Sequence, residues 1–279
     1  ILKALFDTSS LKCSKLVTHT YSTSFSLGIR LFSPKIRPAI YAIYGFVRYA
    51  DEIVDSFHDY DQEELLTEFV KEYKLSLKRK ISLNPIINSF QEVVHKYELY
   101  EYADVFLERM QYDLEVSEYT TKEAYENYIY GSADVVGLMC LKVFVDNDKE
   151  KFNSLKYSAK YLGSAFQKVN FLRDIKQDLE SLGRSYFPNV HQKELTDEVK
   201  REIIAEIEED FKRAYIGLVQ LPIESRLGVY IAYKYYSNLL RKLKNTKSEK
   251  ILNGRIHISN PMKMVILAKG YVRCKLNAI

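Results

Sequence analysis

Residues 157–183 read YSAKYLGSAFQKVNFLRDIKQDLESLG, and the spacing of apolar positions in this run decides the fold. Phe166, Val169, Leu172 and Ile175 recur at intervals of three, the period that stacks side chains on one side of an α-helix. No proline interrupts the run. Gly183 stands where a helix would stop, because glycine adopts the left-handed cap conformation at little cost. The pattern predicts a helix from about Phe152 to Leu182, apolar on most of its circumference and so set inside a bundle. Upstream, residues 40–55 read IYAIYGFVRYADEIVD, within a helix predicted from about Arg37 to Phe57. Pro34 and Pro38 lie at its entrance, where proline is tolerated. Further amphipathic helices are predicted near residues 62–80, 99–117, 121–145, 197–219, 224–244 and 260–274, with Thr196 and Asp197 capping the fourth of these. Strand-like alternation is scarce, and Phe187-Pro188-Asn189 reads as a loop. There is no repeat and no Pro-, Gly- or Ser-rich linker. The expectation is an all-α chain forming one domain over residues 1–279.

Composition agrees. With 47% hydrophobic residues and a net charge of only +4, the 279-residue chain has the means to collapse, which excludes general disorder. Ten glycines and six prolines are too few for a turn-dense β-sandwich or barrel. The mild positive charge argues against a nucleic-acid partner and suits an acidic small molecule or an anionic membrane surface equally well. Cys13, Cys140 and Cys274 are far apart and form no Cys-x-x-Cys pair, so they read as packing residues in a reducing compartment. The longest apolar run, Val135 to Val145, is broken by Lys142 and is too short to span a bilayer. Nothing at the start reads as a signal peptide, and a cytoplasmic chain is the expectation.

Two constellations carry chemistry. Asp51 and Asp55 are four apart near the end of the first buried helix, with Arg48 one turn and Tyr44 two turns earlier on the same stripe. Paired carboxylates beside apolar surface repel each other and lose hydration, which a cation would offset. Magnesium suits such a pair, because it takes one or two carboxylates and completes its shell with water and phosphate. The plain alternative is a solvated helix end. On the second helix, Gln167, Asn170, Asp174 and Asp178 form one acceptor-rich polar stripe. Its plain alternative is an exposed flank paired to Arg173 and Lys176. Together, two helices each bearing Asp-x-x-x-Asp would present four carboxylates across one cavity, able to hold Mg²⁺ against diphosphate. Arg48, Arg173 and Arg184 would neutralise phosphate oxygens with their bidentate forks.

The segment Leu162 to Pro188 resembles the second aspartate-rich motif of the squalene and phytoene synthases, Q-x-x-N-x-x-R-D-x-x-x-D followed by R-x-Y-x-P. Gln167, Asn170, Arg173, Asp174, Asp178, Arg184, Tyr186 and Pro188 match it. Residues 21–55 resemble the N-terminal half of that family, with an S-x-S-F flap and a D-x-x-x-D motif, through Ser22, Ser24, Phe25, Tyr44, Arg48, Asp51 and Asp55. A third stretch, YIYGSADVVGLM, is similar to the family's mid-chain helix through Tyr128, Ala133, Val136 and Gly137. Tyr236 and Arg255 carry a weaker echo.

The resemblance implies an isoprenoid-synthase helical bundle around a central cavity and head-to-head condensation of two prenyl diphosphates. It implies a metal cluster of Mg²⁺, with Mn²⁺ as its substitute, on Asp51, Asp55, Asn170, Asp174 and Asp178. Tyr44, Arg48, Tyr128, Gln167, Arg173 and Tyr186 join these as catalytic candidates. Ser22, Ser24, Phe25, Arg48, Arg173, Arg184, Tyr236 and Arg255 are the candidates for binding diphosphate. The flap and first helix look closest to bacterial phytoene synthases, which favours geranylgeranyl diphosphate, no NADPH, and carotenoid enzymes as downstream partners. Squalene or dehydrosqualene formation from farnesyl diphosphate is the alternative. A non-catalytic scaffold of the same bundle is a further one, but such a chain would be expected to have lost its carboxylates. Tyr21 stands where many relatives have His, and Pro38 replaces a basic residue; both are expected to lie clear of the aspartate motifs. A basic run, Arg241, Lys242 and Lys244 with Lys247 and Lys250, reads first as a solvated face and second as an aid to peripheral membrane contact, which is expected of the chain.

Overall fold

A computed structural model describes residues 2–115, 119, 121–181, 186–188, 190 and 195–275. In chain order the helices are α1 (Leu2–Tyr21), α2 (Thr23–Ile29), α3 (Arg37–Ser56), α4 (Gln62–Arg79), α5 (Pro85–Tyr97), α6 (Tyr100–Tyr112) and α7 (Lys122–Ile129). A π-turn at Tyr130–Asp134 follows, then α8 (Val135–Phe144), α9 (Lys149–Ser181), α10 (Asp197–Leu218), α11 (Ile223–Lys244), α12 (Ser248–Asn253) and α13 (Asn260–Lys275). Every regular element among the described residues is helical, as the apolar period predicts. None of these helices is long and apolar enough to cross a membrane. Thr196 caps α10, accepting the backbone N–H of Val199 at 3.2 Å. Gly183, expected to stop α9, lies outside the described residues.

Three differences from expectation have physical causes. The helix expected near 121–145 is two helices joined by the π-turn, a wider turn that shifts the register of α8 against α7. The helix expected to reach 117 ends at Tyr112, and Asp113 beyond it accepts a hydrogen bond from the Tyr119 hydroxyl at 2.8 Å. Helices α1 and α5 are additional to those expected; the apolar period of α1 is weak because its inward face is partly polar. Ser10, Ser14 and Thr18 of α1 are buried, and the Ser14 hydroxyl meets that of Ser89 on α5 at 2.7 Å. Buried Asn88 of α5 donates to Asp7 at 3.2 Å and accepts from the Ser82 N–H at 3.1 Å.

Five helices close a ring: α3 packs on α8, α8 on α9, α9 on α11, α11 on α2, and α2 on α3. The two helices bearing the aspartate pairs, α3 and α9, are not packing neighbours and stand across this ring from each other. Helices α1, α4, α5 and α6 buttress the α3 side, while α7, α10, α12 and α13 buttress the α9 and α11 side. The position of α9 depends on two glycines at a close backbone approach. A Cβ on Gly137 of α8 would lie 2.9 Å from the Ala159 carbonyl oxygen, and one on Gly163 of α9 would lie 2.8 Å from that of Ala133. Neither backbone has a flexible end to yield. Gly163→Ala is expected to lower stability by about 1–3 kcal/mol, read as a reduced urea midpoint.

Candidate active site

On α3, Tyr44, Arg48, Asp51 and Asp55 share the stripe expected for them. Arg48 donates to Asp51 Oδ2 at 2.6 Å and also to Glu52. Its Nε is buried with no hydrogen-bond partner among the described residues. The Asp51 side chain keeps 36% of its surface accessible although it lies within the bundle, so it borders a recess that water reaches. Burial first, and then repulsion from Asp55, push the Asp51 carboxyl up to about 7 against the opposing pull of Arg48. The expectation for Tyr21 needs correction: its ring lies 4.6 Å from the Arg48 guanidinium, so it touches the first aspartate motif through that arginine. Pro38 sits in the first turn of α3, away from the motif.

The flap residues are held against α3. The hydroxyl of Ser22 caps α2, accepting the Phe25 N–H at 3.1 Å, and is hydrogen-bonded with Tyr44. The Phe25 ring stacks on Tyr44 with 5.0 Å between centres, and Ser24 is half-buried beside it. Burial pushes the Tyr44 phenol up to about 12, so it stays neutral at ordinary pH.

On α9, Gln167, Asn170, Asp174 and Asp178 are all half-buried, the burial of a stripe that lines a recess. Asp174 is held by two arginines at once. Arg173 donates to it from Nε at 2.9 Å and Nη2 at 2.5 Å. Arg255, from the segment between α12 and α13, donates from Nε at 2.8 Å and Nη2 at 3.3 Å. The pairing of Asp174 with Arg173 set out as the plain alternative is therefore present, but at a half-buried carboxylate and not on a solvated flank. Lys176 pairs instead with Glu180. Tyr236 on α11 donates to Asn170 Oδ1 at 3.3 Å and stacks on Phe166 at 4.1 Å. Arg184 lies outside the described residues.

Aromatic neighbours stand beside both motifs. Asp51 lies close enough to Tyr44 to help raise its phenol, and on the other side Tyr236 bonds Asn170. Tyr128 senses Asp55, and its ring stacks on Tyr186 at 5.1 Å, which stacks in turn on Phe171 of α9 at 4.0 Å. The sequence reading missed Asp113. This buried carboxylate is sensed by both Asp51 and Tyr128 and accepts from Tyr119. A lone Asp beyond a helix end has no spacing signal to reveal it.

Among the described residues, no three His, Cys, Asp or Glu side chains converge on one point. The carboxylates come instead as two separated pairs, a donor set that suits Mg²⁺ when phosphate oxygens and water complete its shell. Burial of Asp51 and repulsion from Asp55, which together outweigh the pull of Arg48, are the local feature that fits a divalent cation. An open groove of about 410 Å³ at the C-terminal end of α11 is lined by Asn245, Thr246, Lys247, Glu249, Lys250 and Asn253.

Other buried charges nearby are structural. Lys168, next to Gln167 but turned the other way, pairs with Glu206 and with Asp210 at 2.7 Å on α10. Asp134 accepts from Ser164 at 2.7 Å, and burial raises its carboxyl to about 6 in spite of that bond. The folded chain therefore holds a proton on Asp134 that the unfolded chain has released between about pH 4 and 6. Stability from this group is full below that window and lost as pH rises through it. Asp134→Asn is expected to raise stability at pH 8 by about 1–3 kcal/mol and to leave it nearly unchanged at pH 4, measured by urea unfolding at both values.

A family model described as "Squalene/phytoene synthase" matches residues 18–261. The chain is 26% identical over 270 residues to a 15-cis-phytoene synthase of Enterobacter agglomerans, covering 88% of this chain and 90% of that protein. It is 26% identical over 291 residues to the chloroplastic phytoene synthase 3 of Zea mays, covering 98% of this chain and 66% of that protein. In fold it is similar to a dehydrosqualene synthase solved in complex with a ligand, with a TM-score of 0.80, 19% identity, and coverage of 96% of this chain and 98% of that one. It is also similar to the squalene synthase HpnC of Alicyclobacillus acidocaldarius, with a TM-score of 0.73, 18% identity, and coverage of 89% and 96%. With a match across nearly its whole length and two aspartate helices facing across one ring, the chain belongs to the squalene/phytoene synthase family.

Proposed function

We propose that this protein condenses two geranylgeranyl diphosphates head to head, giving phytoene by way of a cyclopropylcarbinyl diphosphate. The observation that supports the reading is that each aspartate-bearing helix carries aromatic and cationic neighbours beside its carboxylates, Phe25, Tyr44 and Arg48 at the first motif and Tyr236, Arg173 and Arg255 at the second. In the first half-reaction the donor C1–O bond breaks and diphosphate leaves. The acceptor double bond attacks C1, and loss of a proton closes the cyclopropane. In the second, the remaining diphosphate leaves, the ring opens with rearrangement, and a further proton is lost to give the 1,1′-linked triene. This last proton loss needs no NADPH. Formation of squalene would need a hydride donor instead.

Asp51 and Asp55 on one side, with Asp174, Asp178 and Asn170 on the other, are the residues that would hold Mg²⁺. Bound there, the metal would supply electrostatic stabilisation of the departing diphosphate. Arg48, Arg173 and Arg255 neutralise carboxylates in the structure. As a diphosphate arrives with its cations, each guanidinium would turn from carboxylate to phosphate, leaving the local charge balanced throughout. Burial keeps the phenols of Tyr44 and Tyr128 protonated. Their rings can then stabilise an allylic cation through their faces while offering no phenolate to trap it. Ser22 and Phe25 hold Tyr44 in place from α2.

Incubation with geranylgeranyl or farnesyl diphosphate and Mg²⁺, with and without NADPH, followed by hydrocarbon analysis tests this reading. Phytoene from the twenty-carbon substrate, independent of NADPH, is the expected result. A C30 product from farnesyl diphosphate alone would move the substrate assignment. Absence of both hydrocarbon and diphosphate release would overturn the enzymatic reading altogether.

A further inference from the structure

Helix α13 is apolar on the side it buries and again on the side it shows to solvent. Ile266 and Gly270 face inward, and a Cβ on Gly270 would strike Ile231 of α11. On the opposite face Met264, Val265 and Val272 are 56%, 43% and 55% exposed, with exposed Ala268 between them. A helix apolar all round is normally enclosed on all sides, yet this one packs chiefly on α11. Its charges are of one sign: Lys263, Lys269, Arg273 and Lys275 stand in Asn260–Lys275 with no Asp or Glu. Exposed Lys269 and Arg273, the latter also donating from Nη1 to the Tyr230 hydroxyl at 3.2 Å, flank the apolar strip on one side and half-exposed Tyr271 on the other.

We infer that the outward face of α13 docks on an anionic lipid bilayer. Aliphatic side chains rimmed by cations and bordered by a tyrosine are the chemistry that partitions into a headgroup region. A second copy of this chain is a poor occupant, because two-fold pairing of this face would set Lys269 and Arg273 against their own copies. Three of the five cations in the basic run near the end of α11 are bonded within the fold. Lys244 there is paired with Glu208 at 2.7 Å, Lys242 donates to the His257 carbonyl at 2.9 Å, and Arg241 donates to Asn238 at 2.5 Å. Docking through α13 would also place the bilayer beside the flap. Lys263 donates to Thr23 Oγ1 at 3.2 Å, at the start of the helix whose Phe25 stacks on Tyr44. The inference does not depend on the reaction proposed above, and its test measures binding alone.

The test is flotation of the full chain with vesicles of phosphatidylcholine, or of phosphatidylcholine with one-third phosphatidylglycerol, alongside size-exclusion chromatography with light scattering. The protein is expected to float with the anionic vesicles and not with the neutral ones, and to be released by 0.5 M salt, where the screening length falls to about 4 Å. Lys269→Ala should weaken partitioning roughly fivefold. Val265→Glu with Val272→Glu should abolish it, with circular dichroism and melting temperature unchanged to show that the fold persists. Failure of the wild-type protein to float with anionic vesicles, or flotation that the double variant leaves intact, would overturn the proposal. A solution dimer that the double variant dissociates would do so too, by giving this face to a second copy.

Discussion

Asp51→Ala and Asp174→Ala are each expected to lower diphosphate release from the proposed geranylgeranyl diphosphate substrate by at least about a thousandfold, roughly 4 kcal/mol of transition-state stabilisation, with the helical circular dichroism unchanged. The two losses differ in origin. Without Asp51, the Arg48 fork keeps Glu52 as a partner, while the repulsion that holds the Asp51 carboxyl near 7 disappears, so this variant should be no less stable than the parent at pH 8. Without Asp174, both Arg173 and Arg255 lose the carboxylate they share. Arg173 is then left half-buried and unpaired, and this variant should be less stable as well as inactive. Combining the two substitutions should cost little more than either alone, since residues that act on one leaving group are not additive. Single-turnover pyrophosphate release across a Mg²⁺ titration is the measurement. Activity within tenfold of the parent in either variant would remove the carboxylate pairs from the chemistry.

Phe46→Ala lowers stability by about 3–5 kcal/mol, equivalent to a fall in melting temperature on the order of 10 °C. Phe46 is fully buried on α3 and stacks on Phe90 of α5 with 3.9 Å between centres. It also meets Phe69 and Tyr73 of α4 at 5.1 and 5.0 Å. Removing the ring leaves a cavity walled by three other aromatic rings on two helices, which cannot close over it without shifting α3. Because Asp51 and Asp55 ride on the same helix, KM for the diphosphate is also expected to rise at temperatures where the variant is still folded. Differential scanning calorimetry and steady-state kinetics test the two parts separately.

The long apolar helices were legible because an unbroken three-and-four period over 20 or more residues has one good solution, a helix enclosed by others. The residues of the aspartate motifs were legible for a related reason: carboxylates at i and i+4 share one face of such a helix, where they repel each other. What escaped was encoded by single residues and by packing. Helix α1 turns serines and a threonine inward, toward α3 and α5, and so shows no apolar stripe. Asp113 stands alone in the chain and meets Asp51 and Tyr128 only in space. Tyr21 reads as a peripheral departure, and only the folding of α1 onto α3 lays its ring on Arg48.

By itself, then, the sequence determined the all-helical class, the two aspartate pairs and the polar stripe, since each follows from periodicity and charge within one continuous segment. Tertiary structure alone decided that α3 and α9 face each other across a ring instead of packing together. It also decided that Tyr236 and Arg255, dozens of residues downstream, close on Asn170 and Asp174. The physical reason is that helix period specifies which face of a helix is apolar but not which partner covers it. That choice rests on close approaches such as those at Gly137 and Gly163, which no stretch of sequence displays on its own.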